Sequence, residues 1–333
     1  MVTTLMRSHP RSEAAPHVRH VRIALAGCGV VGSELARLVA ARGREIEDRH
    51  QLRLSIETVL VRDVTKQRAV PLPPSRFTAD VAQFLACDAD VVVEAIGGES
   101  TAYEIARTAL ARGTRLVTAN KALLAQCGDG LVALARSSGA GIDFEAAVAG
   151  GVPVVRTLRH SLRNVPVRQI RAILNGTTNY IFTRMEAGSS FEEALADAQA
   201  NGFAEADPSR DLSGLDAADK LRVLAWLAYG VAPHAIDVDC RGLLPDPDRL
   251  VREAQASGQR VRLIASCTRN DDGAISAYVR PELVSPDSPF GRATNEQNVV
   301  ELDVGWSQPI TLTGPGAGGL PTATAILGDI LCC

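Results

Sequence analysis

The sequence predicts two α/β units: a doubly wound parallel sheet over residues 21–150, and an α+β domain on a mixed sheet over residues 151–313. Two observations support this prediction. Up to residue 150, apolar strand-like runs alternate with helical stretches, which is the pattern of a parallel sheet with helices on both faces. The chain of 333 residues is also too long for one core, since single cores rarely grow beyond about 250 residues.

The strands of the first unit are short apolar runs, each followed by glycine or polar residues. We place them at residues 21–26, 56–61, 90–96, 115–118 and 141–145. The run at 90–96 (DVVVEAI) is almost entirely apolar and β-branched, as expected of a parallel strand covered on both faces. Helices are predicted after the first strand, to about residue 41, after Ser100 and after Asn120.

The second unit has a different spacing of elements. Ser190 and Glu193 form a capping-box pattern for a helix that Gly202 would close, and a longer helix is predicted at 215–229. Strands are placed at residues 168–174, 261–266, 274–279, 299–304 and 310–313. A glycine loop at 314–319 then leads into a last helix, and we expect residues 314–333 to complete the first domain.

Composition and charge exclude several classes of protein. A net charge of −3 leaves no basic surplus to hold nucleic acid, and no apolar run approaches the roughly 20 residues that span a bilayer. The seven cysteines lack paired spacing and the six histidines do not cluster, which favours reduced thiols in a cytoplasmic protein without zinc. Residues 1–20 have no apolar signal core, and we expect them to be a disordered extension.

A glycine turn follows the first strand directly and opens a helix. Gly27, Gly29 and Gly32 give the spacing G-x-G-x-x-G, with Val30 and Val31 between the last two. The first glycine permits the tight turn, the second admits a pyrophosphate, and the third lets helix and strand pack closely. A bare structural turn is the alternative. The strand–turn–helix context favours a Rossmann-type dinucleotide site.

The end of the second strand indicates which dinucleotide is bound. NAD usually requires an acidic residue there for the ribose hydroxyls. Here Arg62 precedes Asp63, and Lys66 and Arg68 follow. This basic cluster favours the 2′-phosphate of NADP, while Asp63 leaves NAD open, and a solvated loop of mixed charges is the alternative.

An acidic segment at 202–220 ends in a lysine. Lys66, Lys121 and Lys220 are the only lysines among 35 basic residues, and arginine cannot give up its proton as lysine can. Asp216 and Lys220 are four residues apart and share a helix face. A surface ion pair is the alternative, but the helix continues as LRVLAWLAYG, which is too apolar to be freely exposed. A partly buried lysine here could donate a proton.

Five strings carry a specific resemblance to a known family. VTANKALLA (117–125), FEAAVAGGVP (144–153), ILNGTTNYI (173–181), the acidic segment and GPGAGGLPTA (314–323) resemble homoserine dehydrogenase. They occur in the expected order and cover nearly the whole chain from residue 21. The resemblance implies NAD(P)H-dependent, reversible reduction of L-aspartate 4-semialdehyde to L-homoserine, in the biosynthesis of threonine and methionine.

The resemblance also implies roles for particular residues. Lys220 matches the proton donor to the carbonyl oxygen, and Lys121 the lysine beside nicotinamide and substrate. Glu205 and Asp216 match substrate-binding carboxylates, with Asp211 a weaker member of that set. The cofactor contacts expected are Gly27, Gly29, Val30, Val31, Gly32, Arg62, Lys66, Ile96, Gly97, Lys121 and Gly316.

Further family traits are expected from the same resemblance. Backbone carbonyls of Glu145, Val148, Gly150 and Val152 match ligands of a monovalent cation, commonly sodium, although a tight turn between domains is the alternative. A homodimer is implied, with the strand-rich part of the second domain as its interface. Because the chain stops at Cys333, we expect neither the C-terminal ACT domain of many members nor threonine feedback through it.

Two other functions remain open at this point. A paralogue could reduce a different amino aldehyde, and a non-catalytic NADP-binding regulator could keep the fold alone. The presence of Lys121, Glu205, Asp216 and Lys220 argues against both.

Overall fold

The computed structural model describes residues 18–332. In the first unit it contains one sheet of parallel strands in the order β3-β2-β1-β4-β5-β6. The strands are β1 Arg19–Ala26, β2 Leu52–Leu60, β3 Phe77–Thr78, β4 Val91–Glu94, β5 Arg115–Thr118 and β6 Ile142–Asp143. The helices are α1 Val30–His50, α2 Val81–Leu85, α3 Ser100–Ala111 and α4 Lys121–Ser138. This strand order reverses between β1 and β4, and ligands of such sheets bind outside the carboxyl ends of the strands at that point.

Both faces of the first sheet are buried, which confirms the doubly wound prediction. Ile23 and Leu25 of β1 face a core shared with α1, whereas Ala24 and Ala26 face the core on the opposite side. The last helix of the chain, α12 (Gly319–Leu331), adds Ile326 to the core of α1. The helical layer on this face of the sheet is therefore built from residues near both ends of the described chain.

The second unit has a mixed sheet in the order β12-β11-β7-β9-β10-β8, as predicted. Its strands are β7 Gln169–Ile173, β8 Asp239–Cys240, β9 Arg260–Arg269, β10 Ile275–Val284, β11 Gln297–Asp303 and β12 Ile310–Pro315. Its helices are α5 Val154–Arg156, α6 Gly176–Glu186, α7 Phe191–Ala200, α8 Ser209–Leu212, α9 Leu215–Tyr229, α10 Pro247–Ala256 and α11 Pro289–Arg292. A π-helical turn, Thr157–Ser161, follows α5 directly.

The two faces of this sheet differ. Helices α6, α9 and α10 pack on one face over β9. The other face, here called the outer face, carries a polar row of cross-strand neighbours. From β10 to β12 that row is Tyr278, Ser266, Arg171, Glu301 and Thr311.

Several predicted boundaries were wrong for physical reasons. The helix α1 continues to His50, well past the predicted end near residue 41, because Arg42 pairs with Glu45 and Ile46 extends the buried stripe. Strand β2 begins at Leu52 rather than 56, and β1 begins at Arg19. The capping box of Ser190 and Glu193 is present as predicted. Of the predicted N-terminal extension, residues 1–17 lie outside the described residues.

Between residues 18 and 332, the helices are all too short or too polar to cross a bilayer.

Candidate active site

The glycine turn after β1 has the geometry that its spacing predicts. Gly27 has a φ of 102°, and a Cβ there would lie 2.5 Å from the carbonyl oxygen of Ala95. A Cβ on Gly32 would lie 2.0 Å from the carbonyl oxygen of Gly27. Gly29, by contrast, faces open space as the N-cap of α1, and as a glycine it has no side chain that could bond the first N–H groups of the helix. The first N–H groups of α1 are thus free to meet an anion.

The loop after β2 exposes its basic side chains. The carboxylate of Asp63 accepts hydrogen bonds from the backbone N–H (2.8 Å) and the hydroxyl (2.6 Å) of Thr65, and these bonds lower its pKa. Arg68 donates to the carbonyl oxygens of Lys66 (2.7 Å) and Asp63 (2.9 Å) and so holds the loop. Arg62 and Lys66 are exposed at the carboxyl edge of the sheet.

A buried carboxylate organises the ends of β4 and β5. Glu94 accepts the hydroxyl of Thr118 (2.5 Å) and the backbone N–H groups of Ile96 (3.0 Å) and Gly97 (3.3 Å). Burial raises the pKa of Glu94 in spite of these bonds. Asn120 caps α4 and donates to the carbonyl of Gly98 at 2.7 Å.

The two strand ends are therefore tied together at the predicted cofactor contacts Ile96 and Gly97. Sequence reasoning missed Glu94, Thr118 and Asn120 as members of this network. The one sequence signal for this network was the acidic residue Glu94 inside the otherwise apolar stretch at 91–96.

The centre of the site is a carboxylate between two lysines. Lys220 donates to Oδ2 of Asp216 (2.6 Å) and to the carbonyl oxygen of Leu174 (2.7 Å). Lys121, the first residue of α4, places its Nζ 3.0 Å from Oδ1 of Asp216. Asp216 is only 7% exposed. Asp216 and Lys220, four residues apart on α9, thus form a partly buried ion pair. Lys121, from the first unit, is the second cation that contacts Asp216.

The charges of this centre shift one another's pKa values. Burial alone would raise the pKa of Asp216, but the charges of Lys220 and Lys121 outweigh burial and hold the pKa well below its ordinary value. Burial also disfavours the charged form of Lys121 and by itself would lower its pKa. The attraction and hydrogen bond of Asp216 prevail, and the pKa of Lys121 is raised.

Asn175 links the acidic residues of the segment. Its amide donates to Oδ2 of Asp216 (2.8 Å) and to Oδ1 of Asp211 (2.7 Å), while its oxygen caps α6 by accepting the N–H of Thr178. Burial and then the charge of Asp216 raise the pKa of Asp211. Asn175 lies within the string ILNGTTNYI, but sequence reasoning did not single it out.

Glu205 is the predicted substrate-binding residue that the structure does not bring to this centre. Its side chain is exposed, and its backbone carbonyl accepts a hydrogen bond from Gln199 at 3.1 Å.

The loop that follows β6 is buried and tightly held. The carboxylate of Glu145 accepts the N–H groups of Val155 (3.0 Å) and Arg156 (2.7 Å), and burial raises the pKa of Glu145 to about 7. Ala149 and Gly150 both have positive φ, at 58° and 56°.

Two of the four predicted cation ligands have carbonyls already in use, because Glu145 accepts the N–H of Val148 and Val152 accepts that of Val154. The carbonyls of Val148 and Gly150 are not acceptors in the backbone hydrogen bonds between residues 18 and 332.

The glycine loop at 314–319 joins this loop to the glycine turn. A Cβ on Gly150 would lie 2.7 Å from the carbonyl oxygen of Gly316, and the N–H of Gly151 donates to Pro315 at 2.9 Å. At the other end, a Cβ on Gly319 would lie 2.8 Å from the side chain of Val30. The glycine loop therefore connects the predicted contact Gly316, at the loop after β6, with the predicted contact Val30, at the start of α1.

Comparisons with known proteins agree with this geometry. Residues 153–331 match the family model for homoserine dehydrogenase, and residues 27–145 match the model for its NAD-binding domain. The homoserine dehydrogenase of Corynebacterium glutamicum is 38% identical over 317 residues, covering 93% of this chain and 71% of that protein. The enzyme of Bacillus subtilis is 36% identical, covering 94% of this chain and 73% of that protein.

Solved structures give the same match at the level of the fold. A homoserine dehydrogenase from Thiobacillus denitrificans superposes with a TM-score of 0.87 at 32% identity, covering 94% of this chain and 73% of the other. A hyperthermophilic archaeal homoserine dehydrogenase in complex with NADPH superposes with a TM-score of 0.78 at 26% identity, covering 94% and 97%.

Proposed function

Because this chain belongs to the homoserine dehydrogenase family, we propose that Lys220 and Lys121 are its catalytic lysines and that Asp216 positions both. The protein is an oxidoreductase that acts on a CH–OH group with a nicotinamide cofactor. It interconverts L-aspartate 4-semialdehyde and L-homoserine. The residue roles below are our proposal.

One observation carries the assignment of Lys220 as proton donor. An ammonium group has three N–H donors, and two of those of Lys220 are held by Asp216 and by the carbonyl of Leu174. The third is left for a substrate oxygen. When hydride reaches the carbonyl carbon, negative charge develops on that oxygen, and a positioned donor stabilises it and completes the alcohol.

Lys121 would act at the boundary between the units. It begins α4 at the carboxyl end of β5, beside the strand ends where a nicotinamide would lie, and it contacts Asp216 of α9. An ion pair in this place sets the distance between the hydride source and the proton donor. We therefore assign Lys121 to orienting the substrate carbonyl as well as contacting the cofactor.

The substrate's ammonium group would meet the remaining carboxylates. Asp211 lies against Asn175 next to Asp216, and we propose that it accepts the ammonium together with Asp216. Glu205 would join them only if the exposed segment around it moved inward on substrate binding.

We propose NADP as the preferred dinucleotide, with NAD as a weaker substrate. The exposed Arg62 and Lys66 suit a 2′-phosphate, whereas Asp63 is engaged by Thr65. The pyrophosphate would lie on the turn of Gly27, Gly29 and Gly32, against the free N–H groups that open α1. The double variant R62A/K66A should lower kcat/KM with NADPH while leaving kcat/KM with NADH nearly unchanged. A wild-type preference for NADH would contradict the proposal.

We also propose a monovalent cation, with sodium as the expected ion, at the loop of Glu145, Val148, Gly150 and Val152. The free carbonyls of Val148 and Gly150 fit a hard cation, which prefers oxygen ligands. Clusters of acidic, histidine or cysteine side chains fit for a metal are absent from residues 18–332, so the ligands would be mainly carbonyls. The ion would supply positive charge and stiffen the loop that contacts Gly316.

A homodimer through the outer face is our proposal for assembly. Its row of polar side chains is laterally continuous across five strands, and Ser266 within it is buried with an unpaired hydroxyl. T311R places a charge on an exposed position of this face and should shift the mass in sedimentation toward the monomer. A41R on the exposed side of α1 is the matched control, and equal masses for both variants would contradict the proposal.

The division of the chain is likewise a proposal: residues 21–150 with 314–333 form the cofactor domain, and residues 151–313 form the substrate and dimerisation domain. The packing of α12 against α1 supports it. Six cysteines between residues 18 and 332 are unpaired, which supports a reducing, cytoplasmic location.

The deciding experiment for the function is reduction of NADP by L-homoserine in wild type, K220A and K220R. We expect K220A to lose roughly 10²–10⁴-fold in kcat, the usual contribution of a positioned general acid or base. K220R keeps the charge but cannot release a proton, and it should remain similarly inactive. Full activity of K220A would refute the proton-donor role, and no turnover in wild type would refute the proposed substrate.

A further inference from the structure

A second cavity lies at the far end of the two helices that form the lysine centre. Helices α4 and α9 pack side by side, and their N-terminal ends carry Lys121 and Asp216. Since a helix rises about 1.5 Å per residue, Arg136 lies roughly 22 Å along α4 from Lys121. There a cavity of about 460 Å³ opens between α4, the π-helical turn and the end of α9. Its lining includes Arg136, Phe144, Arg159, His160, Arg163 and Trp226.

The cavity is basic on one side and has no carboxylate among its lining residues. Arg159 donates to the carbonyl oxygen of Ile142 (3.0 Å) and to Asp143 (3.2 Å), so part of its charge is satisfied. Arg136 and Arg163 have no ion-pair partner among the described residues. In a chain with a net charge of −3, this is a local concentration of uncompensated positive charge.

The other side of the cavity is aromatic and apolar. Phe144 and Trp226 stack with ring centroids 5.8 Å apart and planes inclined by 12°. Gly128 makes room for the indole, since a Cβ there would lie 3.0 Å from the ring of Trp226. The guanidinium of Arg159 lies 5.1 Å from the ring centre of Phe144. Phe144 is only 1% exposed, so the half-buried indole of Trp226 is the aromatic surface that a planar ring would meet, with Phe144 packed behind it and the cation of Arg159 nearby.

The local backbone directs the basic side chains to this place. In the turn Thr157–Ser161, the N–H of Leu162 reaches the carbonyl of Thr157 at 2.9 Å, five residues back. Such π-helical turns are rare and occur frequently at functional sites. The turn carries Arg159 and His160, and Arg163 follows it. Its preceding segment is held by the carboxylate of Glu145 through the N–H of Val155.

We propose that this cavity binds an aromatic organic phosphate of nucleotide size, at a site separate from the dinucleotide turn. Guanidinium groups match phosphate oxygens in a bidentate fork, and more than one unpaired arginine suits a ligand with more than one negative charge. The half-buried indole of Trp226, supported from behind by the buried ring of Phe144, suits a planar base. Ligand cavities commonly measure roughly 300–1,000 Å³, so the volume accommodates both parts.

Trp226 provides the signal for the test. W306F removes the exposed Trp306 and leaves Trp226 as the only tryptophan in the chain. The protein, saturated with NADP, is titrated at constant ionic strength with ATP, with adenosine and with inorganic triphosphate. We expect ATP to change the fluorescence of Trp226 and to bind at least tenfold more tightly than adenosine, and triphosphate to compete with it.

Charge reversal locates the site. R136E and R163E should each weaken ATP binding about tenfold, as expected for one lost charge-assisted contact. R107E, on the exposed side of α3, should leave binding unchanged, and all three variants should keep the turnover of homoserine. Equal affinity for ATP and adenosine, or unchanged binding in R136E and R163E, would overturn the proposal. In that case these arginines would only offset the carbonyl ends of α4 and α9.

Discussion

Replacing Asp216 with asparagine tests whether one carboxylate holds the lysine centre together. The variant D216N keeps the shape of the side chain and removes its charge. In the structure, Oδ1 lies 3.0 Å from Nζ of Lys121 and Oδ2 lies 2.6 Å from Nζ of Lys220. The amide can still accept one of these hydrogen bonds, but its NH₂ group would face the other ammonium.

The expected loss of stability follows from burial. Removing one partner of a buried ion pair costs roughly 3–5 kcal/mol, because the remaining charge is left uncompensated. The side chain of Lys121 is 35% accessible, so solvent would screen part of the positive charge that D216N leaves without a partner. We therefore expect D216N to lower the free energy of unfolding by about 3 kcal/mol. We also expect a roughly 10²-fold lower kcat, since Lys220 would no longer be held in one direction.

The pH dependence of stability gives an independent check. The pKa of Asp216 is lower in the folded chain than its ordinary 3.8, so the carboxylate stabilises the fold at pH values above about 3.8. That contribution is lost as the pH falls below 3.8 toward the folded-state pKa. D216N should lose this part of the acid dependence.

Urea unfolding across a pH series, together with kcat for homoserine oxidation, measures both effects. The matched control is D219N on the same helix, whose carboxylate pairs with Arg210 and Arg222. The side chain of Asp219 is only 14% accessible, but that of its partner Arg210 is 59% accessible, so solvent screens the charge left behind. We therefore expect D219N to cost less stability than D216N, with kcat unchanged. If D216N were as stable and as active as D219N, the positioning role of Asp216 would be wrong.

Four further substitutions follow from the geometry of the site. G29A adds a Cβ in open space, so it should weaken NADPH binding in a fluorescence titration without lowering Tm, whereas G32A, whose Cβ would lie 2.0 Å from a carbonyl oxygen, should lower both. E94Q keeps one oxygen for the N–H groups of Ile96 and Gly97, which both bond Oε1, but places an NH₂ group against the hydroxyl of Thr118, which bonds Oε2. A lost hydrogen bond of about 1 kcal/mol between the two strand ends should raise the KM for NADPH roughly fivefold with little change in kcat; an unchanged KM would separate Glu94 from cofactor binding. G150A forces a Cβ toward Gly316 at a φ of 56°. We therefore expect the variant to need a higher sodium concentration than wild type for half of its maximal activity, and the same sodium dependence in variant and wild type would argue against a cation at this loop.

The parts of the site that the sequence predicted are those with local periodicity. Asp216 and Lys220 share a helix face four residues apart, and the structure joins them at 2.6 Å. The glycine turn was likewise readable from its spacing. Asn175 was not, because its bridge to Asp211 and Asp216 spans 36 and 41 residues of chain. Pairings of that range depend on how β7 and α9 meet, which no local pattern records.

The elements of the fold that could be predicted from the sequence are likewise those with a local periodic pattern. Alternating apolar runs identified the major parallel strands and the mixed second sheet. The short strand β3 and helix α2 were missed, since two and five residues carry no readable period. The end of α1 was missed because surface ion pairs such as Arg42 with Glu45 continue it, and Ile46 is the one buried apolar residue of its last turns.

Under the roles proposed for the two lysines, the position of Asp216 would explain why two units are needed for one reaction. The ammonium group of Lys220 is oriented by the second unit, because it donates a hydrogen bond to the carbonyl of Leu174, just past β7. Lys121 takes its position from the first sheet, as the residue that opens α4 after β5. Asp216 pairs with both lysines, so under the proposed roles a change there would move the proton donor relative to the hydride source. On this reasoning, K121A should lower kcat more than it raises the KM for either substrate, and the reverse result would make Lys121 a binding residue only.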